Sequence, residues 1–224
     1  MPAKWQITYW PRCEAHAFLS HCAEDRDHLV EPVFWELERR GVIPWLDRYH
    51  YPSGRDGFES LREQLLKCRH VVYFLTPAML RQGRGWASAE RAFATTIQQH
   101  LSYGGEVAHI ELPLLFVPGD DSIFQRSIWR SLIDKEPRPC PHVTPHTKRP
   151  QRSGEISYRG GGWRKKHIQW AADAIEDFIR QEEEWAIELG IRLGQDTTLR
   201  NEFARDRNLS ERLLAQSPRL TRPT

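Results

Sequence analysis

Short apolar runs alternate with stretches of helical periodicity along the first half of this chain. That alternation constrains the fold more than any other feature. The clearest run, Arg-His-Val-Val-Tyr-Phe-Leu-Thr at 69–76, is β-branched and aromatic, has turn residues after it, and reads as a buried strand. The run at 16–20, His-Ala-Phe-Leu-Ser, reads as a second, delivering Ser20 and His21 to its carboxyl end. Residues 41–46 read as a third, ending at Asp47, and 110–117 as a fourth, stopped by Pro-Gly-Asp-Asp at 118–121. Between the runs at 16–20 and 41–46, Leu29, Val33 and Leu37 recur at helical spacing, with helix N-cap candidates across 24–27 and Gly41 as the stop. Pro32 leaves the start of that helix open. Residues 58–67 are helical, with Leu61 and Leu65 on one face, and a further helix opens at Trp86.

Strand, helix, strand, helix, strand, helix, strand predicts an α/β fold: a flavodoxin-like, doubly wound parallel sheet of four to five strands with helices on both faces. In such sheets the ligand crevice lies outside the carboxyl ends of the strands. Ser20, Asp47 and the loop running into Trp86 all fall there.

The second half is less regular. From 122 to 162 the pattern decays into Pro, Gly, His and basic residues, and reads as a long irregular connection. Residues 163–193 read as a helix with Ile168, Ala171 or Ala172, Ile175 and Ile179 as its inner stripe. A domain over 14–182 with a basic insertion at about 122–162, then a helical extension and tail over 183–224, is the expected organisation. No internal repeat is visible.

Within the crevice-facing segments the most informative five residues are Trp-Ala-Ser-Ala-Glu at 86–90. On a helix, Trp86 and Glu90 lie one turn apart on one face, which continues through Phe93 and Ile97. A carboxylate on an apolar stripe is an anomaly. Burying it is costly unless it is compensated, and a raised pKa follows when it is not. Such carboxylates are frequent at catalytic sites, although a glutamate early in a helix also simply faces solvent in many proteins.

Composition excludes several classes. A formal net charge of +2 gives no bulk electrostatic argument for nucleic acid. No stretch of about 18 apolar residues suggests a membrane span, and no basic segment followed by an apolar one suggests a secretion signal. Four cysteines in 224 residues do not make a disulfide framework, so a reduced, cytoplasmic protein is expected.

The ordered set Phe-Leu-Ser-His at 18–21, Glu24 and Asp25, Leu37 to Gly41, Trp-Leu-Asp at 45–47, Pro-Ser-Gly at 52–54, Val-Val-Tyr-Phe-Leu-Thr at 71–76 and Trp86 with Glu90 resembles the Toll/interleukin-1 receptor (TIR) domain. The resemblance covers about 14–117 and extends through the helix to about 182. It implies more than a fold. In the enzymatic, bacterial-type branch of that family the glutamate matching Glu90 is catalytic, and the substrate is NAD+, cleaved at the nicotinamide–ribose bond. The product is ADP-ribose or a cyclic or conjugated ADP-ribose signal. On that reading Glu90 stabilises the developing oxocarbenium ion, and Trp86 offers a flat face to nicotinamide or adenine. Ser20 and His21 contact ribose or phosphates, and Asp47, with Arg48 and Arg55, comes from the loop side. No cofactor beyond NAD+ as substrate is implied, and no metal. Ala87 stands where the family often has cysteine.

The resemblance also implies self-association through TIR–TIR contacts. A stand-alone chain of this kind resembles the signal-making components of anti-phage systems such as Thoeris, in which a downstream effector protein reads the nucleotide signal. The alternative is a non-catalytic adaptor module acting through homotypic contacts alone.

Other constellations carry less. Cys13, His16, His21 and Cys22, and separately Cys140, His142 and His146, lack the paired CxxC spacing of a strong zinc site. The basic residues at 148–152 and 159–167 surround Trp163 and could meet phosphates, but they also suit a solvated loop. The triple glycine at 160–162 lacks the spacing of a phosphate-binding P-loop.

Overall fold

The computed structural model of the chain describes residues 14–50, 57–81, 86–103, 110–117, 122–133, 136–143 and 163–195. Five strands form one wholly parallel sheet: β1 (Ala15–Ser20), β2 (Pro44–Trp45), β3 (Cys68–Leu75), β4 (Ile110–Leu115) and β5 (Arg138–Pro139). Their spatial order is β2-β1-β3-β4-β5. The chain therefore winds outward one way from β1 to β2 and the other way from β3 to β5. The reversal lies between β1 and β3, where a doubly wound sheet leaves its crevice.

A 3₁₀ turn (Ala23–Asp25) and a π turn (Arg26–Val30) lead into α1 (Glu31–Arg39). Then come α2 (Asp47–His50), α3 (Gly57–Leu66), α4 (Pro77–Arg81), α5 (Trp86–Tyr103), α6 (Ser122–Arg126), α7 (Trp129–Leu132) and α8 (Lys165–Gln195). Strand alternation sorts the core into two layers. Ala17, Leu19, Val72, Phe74, Leu112, Leu114 and Phe116 face Val33 and Leu37 of α1 and Ala171, Ala172, Ile175 and Ile179 of α8. Phe18, Val71, Tyr73 and Leu75 face Leu61 and Leu65 of α3, Met79 of α4, and Ala87 and Ala94 of α5. Because both faces of β3 are covered, all eight of its residues are buried, which is why it reads as a continuous apolar run rather than an alternating one. Arg40 at the end of α1 binds Asp173 at 2.6 Å and Glu176 at 3.1 Å, tying α1 to α8.

Several sequence expectations need correction. The second strand is two residues long instead of six. Gly41 closes α1 with φ 84°, and the Ile43 N–H donates to the His16 ring at 2.8 Å instead of to a ladder. The segment after β1 does not start as an α-helix. Pro32 falls in the first turn of α1, where its missing N–H removes no helix bond, and the preceding turns are 3₁₀ and π. Asp25 precedes the π turn without a side-chain cap bond; its carboxylate turns inward.

The connection expected to be irregular over 122–162 contains α6, α7 and β5. Trp129 anchors that stretch: it is buried, and its indole N–H donates to the Met79 carbonyl at 3.2 Å. A two-residue strand carries no periodicity, so β5 is silent in sequence. The last helix runs through residue 182 without interruption. Among the described residues no helix is long and apolar enough to cross a membrane.

Candidate active site

Ser20 is the last residue of β1, paired in register with Tyr73 of β3. Its side chain points to the α3–α5 face, as Phe18 does two residues earlier. Glu90 lies in the second turn of α5 and is buried, only 5% exposed. The Ser20 hydroxyl donates to Glu90 Oε2 at 2.5 Å. A carboxyl group and a hydroxyl from distant parts of the chain thus meet at the carboxyl edge of the strand beside the sheet's reversal point.

Burial pushes the Glu90 carboxyl up to about 8, from an ordinary 4.5. The Ser20 bond opposes that shift, and the negative charge of Asp47 adds to it. At neutral pH Glu90 is therefore mostly the uncharged acid. It becomes a carboxylate readily when a cation takes the place of low-dielectric surroundings. Ser20→Ala removes an interaction favouring the charged form, so the ionisation midpoint of Glu90 is expected to move further above 8. Carbon-13 NMR titration of the glutamate carboxyls would read it; an unmoved midpoint would discount the Ser20 bond.

Asp47 opens α2 just beyond β2, and its own Oδ1 accepts the Arg48 N–H at 2.7 Å. His21 follows Ser20. Its Nδ1–H donates to the Leu19 carbonyl at 2.9 Å, leaving Nε2 to accept from Arg26 Nε at 3.2 Å. That pattern is the neutral imidazole. Burial first lowers its pKa, with Arg26 contributing in the same direction and Asp47 opposing. Arg26 Nη2 donates to Asp47 Oδ2 at 2.8 Å, and Asp47 Oδ1 is 3.8 Å from His21 Nε2.

The structure thus brings together Ser20, His21, Asp47 and Glu90 of the expected site residues. Trp86 opens α5, but its side chain, like that of Ile97, lies outside the described residues, as do Arg55, Cys13, His146 and the basic stretch 148–162. Arg48 turns away to Asp27 and Glu31, both at 2.7 Å, on the surface.

Sequence reasoning missed three groups. Arg26 gave no signal beyond its place in a charged tetrapeptide. Asp25, one of the N-cap candidates across 24–27, is a second buried carboxylate, accepting from Thr76 Oγ1 at 2.5 Å and from the Trp163 indole N–H at 2.9 Å. Burial raises its pKa while those two bonds oppose. Beneath Glu90, Arg91 Nε lies 3.2 Å from Glu111 Oε1, both nearly sealed from water, and the Tyr73 hydroxyl donates to the same oxygen at 3.3 Å. A Glu inside the apolar run at 110–117 was the available hint. Among the described residues no group of three or more His, Cys, Asp or Glu side chains could hold a metal ion. His16 uses Nδ1 to accept the Ile43 N–H.

No curated protein matches the sequence. Among solved structures, a metazoan TIR-STING receptor from C. gigas is similar at 20% identity, over 49% of this chain and 33% of the receptor, with TM-score 0.38. The same receptor in complex with 2′,3′-cGAMP is similar at 18% identity, over 50% of this chain and 32% of that one, with TM-score 0.39. The TIR domain of a Toll-related receptor from Hydra magnipapillata is similar at 16% identity, over 53% of this chain and 94% of that domain, with TM-score 0.35. This chain spans about a third of the length of the C. gigas receptor it matches. The family model described as TIR domain matches residues 17–120, which carry four of the five strands and all of Ser20, His21, Asp47 and Glu90. Residues 17–120 are thus similar to the TIR domain family, and the parallel sheet in the order β2-β1-β3-β4-β5, whose fifth strand lies beyond the match, is the doubly wound α/β sheet that this resemblance implies.

Proposed function

We propose that this TIR domain cleaves the nicotinamide–ribose bond of NAD+, with Glu90 as the acting carboxylate. The observation that carries the reading is the buried Glu90 held on the Ser20 hydroxyl at the carboxyl edge of β1, with its pKa raised to about 8. A strongly perturbed carboxyl in a crevice is where acid–base and electrostatic catalysis is found.

The chemistry suits the group. The pyridinium of NAD+ is a cation, and its approach favours the charged form of Glu90. As the ribose C1′–N bond breaks, its electron pair leaves with nicotinamide, which departs neutral without a general acid. Positive charge develops on C1′ and the ring oxygen, as in glycoside hydrolysis. A carboxylate beside that centre stabilises it, and more effectively in a water-poor site. Attack by water then gives ADP-ribose and a proton; attack by a nucleophile of the substrate or of an acceptor gives a cyclic or conjugated product. Ser20 holds the Glu90 carboxyl, while His21 and Asp47 line the same edge and meet ribose hydroxyls or phosphates. In this reading self-association completes the site and a separate effector reads the product in antiviral signalling inside the cell.

A second reading, an adaptor acting by TIR–TIR contacts alone, draws on one observation. Trp35 is 54% and Tyr49 42% exposed, with ring centroids 5.4 Å apart on the surface of α1 and α2. Aromatic side chains of that kind suit protein contacts.

Incubating the full chain with NAD+ at high protein concentration, with mass spectrometry of the products, separates the two. Nicotinamide release is expected from the wild type, with a loss of about a hundredfold or more in Glu90→Ala. Full activity in Glu90→Ala would remove Glu90 from the chemistry. An inactive wild type that still assembles would favour the adaptor.

A further inference from the structure

The buried Asp25 carboxylate joins three segments at the carboxyl edge of the sheet. Oδ2 accepts from Thr76 Oγ1, on the residue that follows β3, and Oδ1 accepts from the indole N–H of Trp163, just ahead of α8. Each donor is itself fixed. Thr76 Oγ1 also accepts the Met79 N–H at 3.1 Å and so caps α4. Trp163 packs edge-on against Phe116 and His167, with ring centroids at 5.3 and 5.6 Å. His167 in turn accepts the Arg164 N–H on Nδ1 at 2.8 Å and donates from Nε2 to the His142 carbonyl at 3.1 Å. Packing therefore aims the indole N–H at Asp25.

Asp25 lies in the turn that leads out of the candidate site. Its N–H donates to the carbonyl of Cys22, two residues after Ser20, at 3.0 Å. The next residue, Arg26, donates to His21 Nε2 at 3.2 Å and to Asp47 Oδ2 at 2.8 Å. An unbroken run of contacts thus leads from Trp163 through Asp25 and Arg26 to His21 and Asp47. Ser20 is held differently, by its register with Tyr73 in the sheet.

We propose that Trp163 is a positioning residue: its N–H, through Asp25, fixes the turn that presents His21 and, by way of Arg26, Asp47. Its kinetic consequence rests on the NAD+-cleavage reading, in which His21 and Asp47 meet ribose hydroxyls or phosphates. Trp163 lies beyond residues 17–120, so the segment opening α8 serves the site as well as the core. The physical reason is the cost of an unpaired buried acceptor. Without the indole N–H, one oxygen of Asp25 is left without its donor. The turn around it is 3₁₀ and π, with no side-chain cap bond to hold it instead.

The test is Trp163→Phe in the full chain, which keeps a ring against Phe116 and His167 and removes the donor. Hydrogen–deuterium exchange without NAD+ is expected to rise about tenfold or more across residues 21–30, while β3 stays protected. In the nicotinamide assay KM for NAD+ is expected to rise about fivefold, with kcat within about twofold of wild type, because the sheet and α5 still hold Ser20 and Glu90. A loss of folded protein alone would lower apparent kcat and leave KM in place. Thr76→Val, which removes the other donor to Asp25, is expected to raise exchange in the same segment, and carries the test where circular dichroism shows Trp163→Phe unfolded. Unchanged exchange over 21–30 in a folded variant, or an unmoved KM, would overturn the proposal. Two variants that cannot fold would overturn it as well, making these bonds a requirement of the fold. A wild type that releases no nicotinamide would sink the NAD+-cleavage reading separately, and exchange alone would then decide what Trp163 holds.

Discussion

Glu90→Gln is expected to stabilise the domain by on the order of 3 kcal/mol at pH 7 while removing the proposed NAD+-cleaving activity. The sign follows from the two states of the carboxyl. Unfolded, it loses its proton near the ordinary 4.5; folded, it keeps it until about 8. Between those values the unfolded state binds fewer protons, so stability falls as pH rises. Each pH unit in that window costs about 1.4 kcal/mol. The contribution is fully present below 4.5 and fully lost above 8. Glutamine has no proton to lose, and its amide can still pair with the Ser20 hydroxyl. Thermal melts of wild type and Glu90→Gln from pH 5 to 8.5 are expected to converge at the acid end and diverge toward the alkaline end. Parallel curves would place Glu90 in contact with water and cancel the argument. For the proposed NAD+ cleavage, the same ionisation is expected in the pH dependence of kcat/KM, which reports the unliganded protein. Its rising limb should sit near 8. A site that sacrifices stability for a reactive group is the usual trade between the two.

Arg91→Met is expected to destabilise the fold by about 3–5 kcal/mol, because it breaks a buried ion pair with the Glu111 carboxylate. The pair lies between α5 and β4 with side chains 8% and 6% exposed, at 3.2 Å. The double variant Arg91→Met with Glu111→Leu is expected to recover most of the loss, since removing both charges removes the uncompensated one. Urea unfolding of the three proteins measures it, and a double variant no better than the single would assign the cost to packing instead. The pair also bears on the site. Arg91 follows Glu90 directly on α5, so its ion pair with Glu111 on β4 restrains rotation of the helix that aims Glu90 at Ser20. A core of leucines would tolerate several rotations; a buried ion pair tolerates few.

Much of this was legible before any coordinates. The run at 69–76 announces β3 because a strand covered on both faces needs apolar residues at every position. Gly41 announces the end of α1 because only a residue without Cβ sits easily at φ 84°. Glu90 stood out as a carboxylate on an apolar stripe, and Ser20 and Asp47 as strand ends. Illegible were the elements too short for a period, β2 and β5, and the groups whose meaning is relational. Asp25 and a helix cap look alike in sequence. What makes it a buried carboxylate is the arrival of Thr76 and Trp163, the latter 138 positions away.

The sequence by itself determined the order of strands and helices, hence a doubly wound parallel sheet, and the carboxylate most exposed to suspicion. Those are properties of local periodicity and of residue type, which neighbours along the chain carry. Only the tertiary structure decided that Glu90 is buried, that its partner is the Ser20 hydroxyl, and that Asp47 reaches it with Arg26 alongside. Ionisation depends on solvent exclusion and on groups brought close in space, and in this fold Ser20, Asp47 and Glu90 come from three separate segments of the chain.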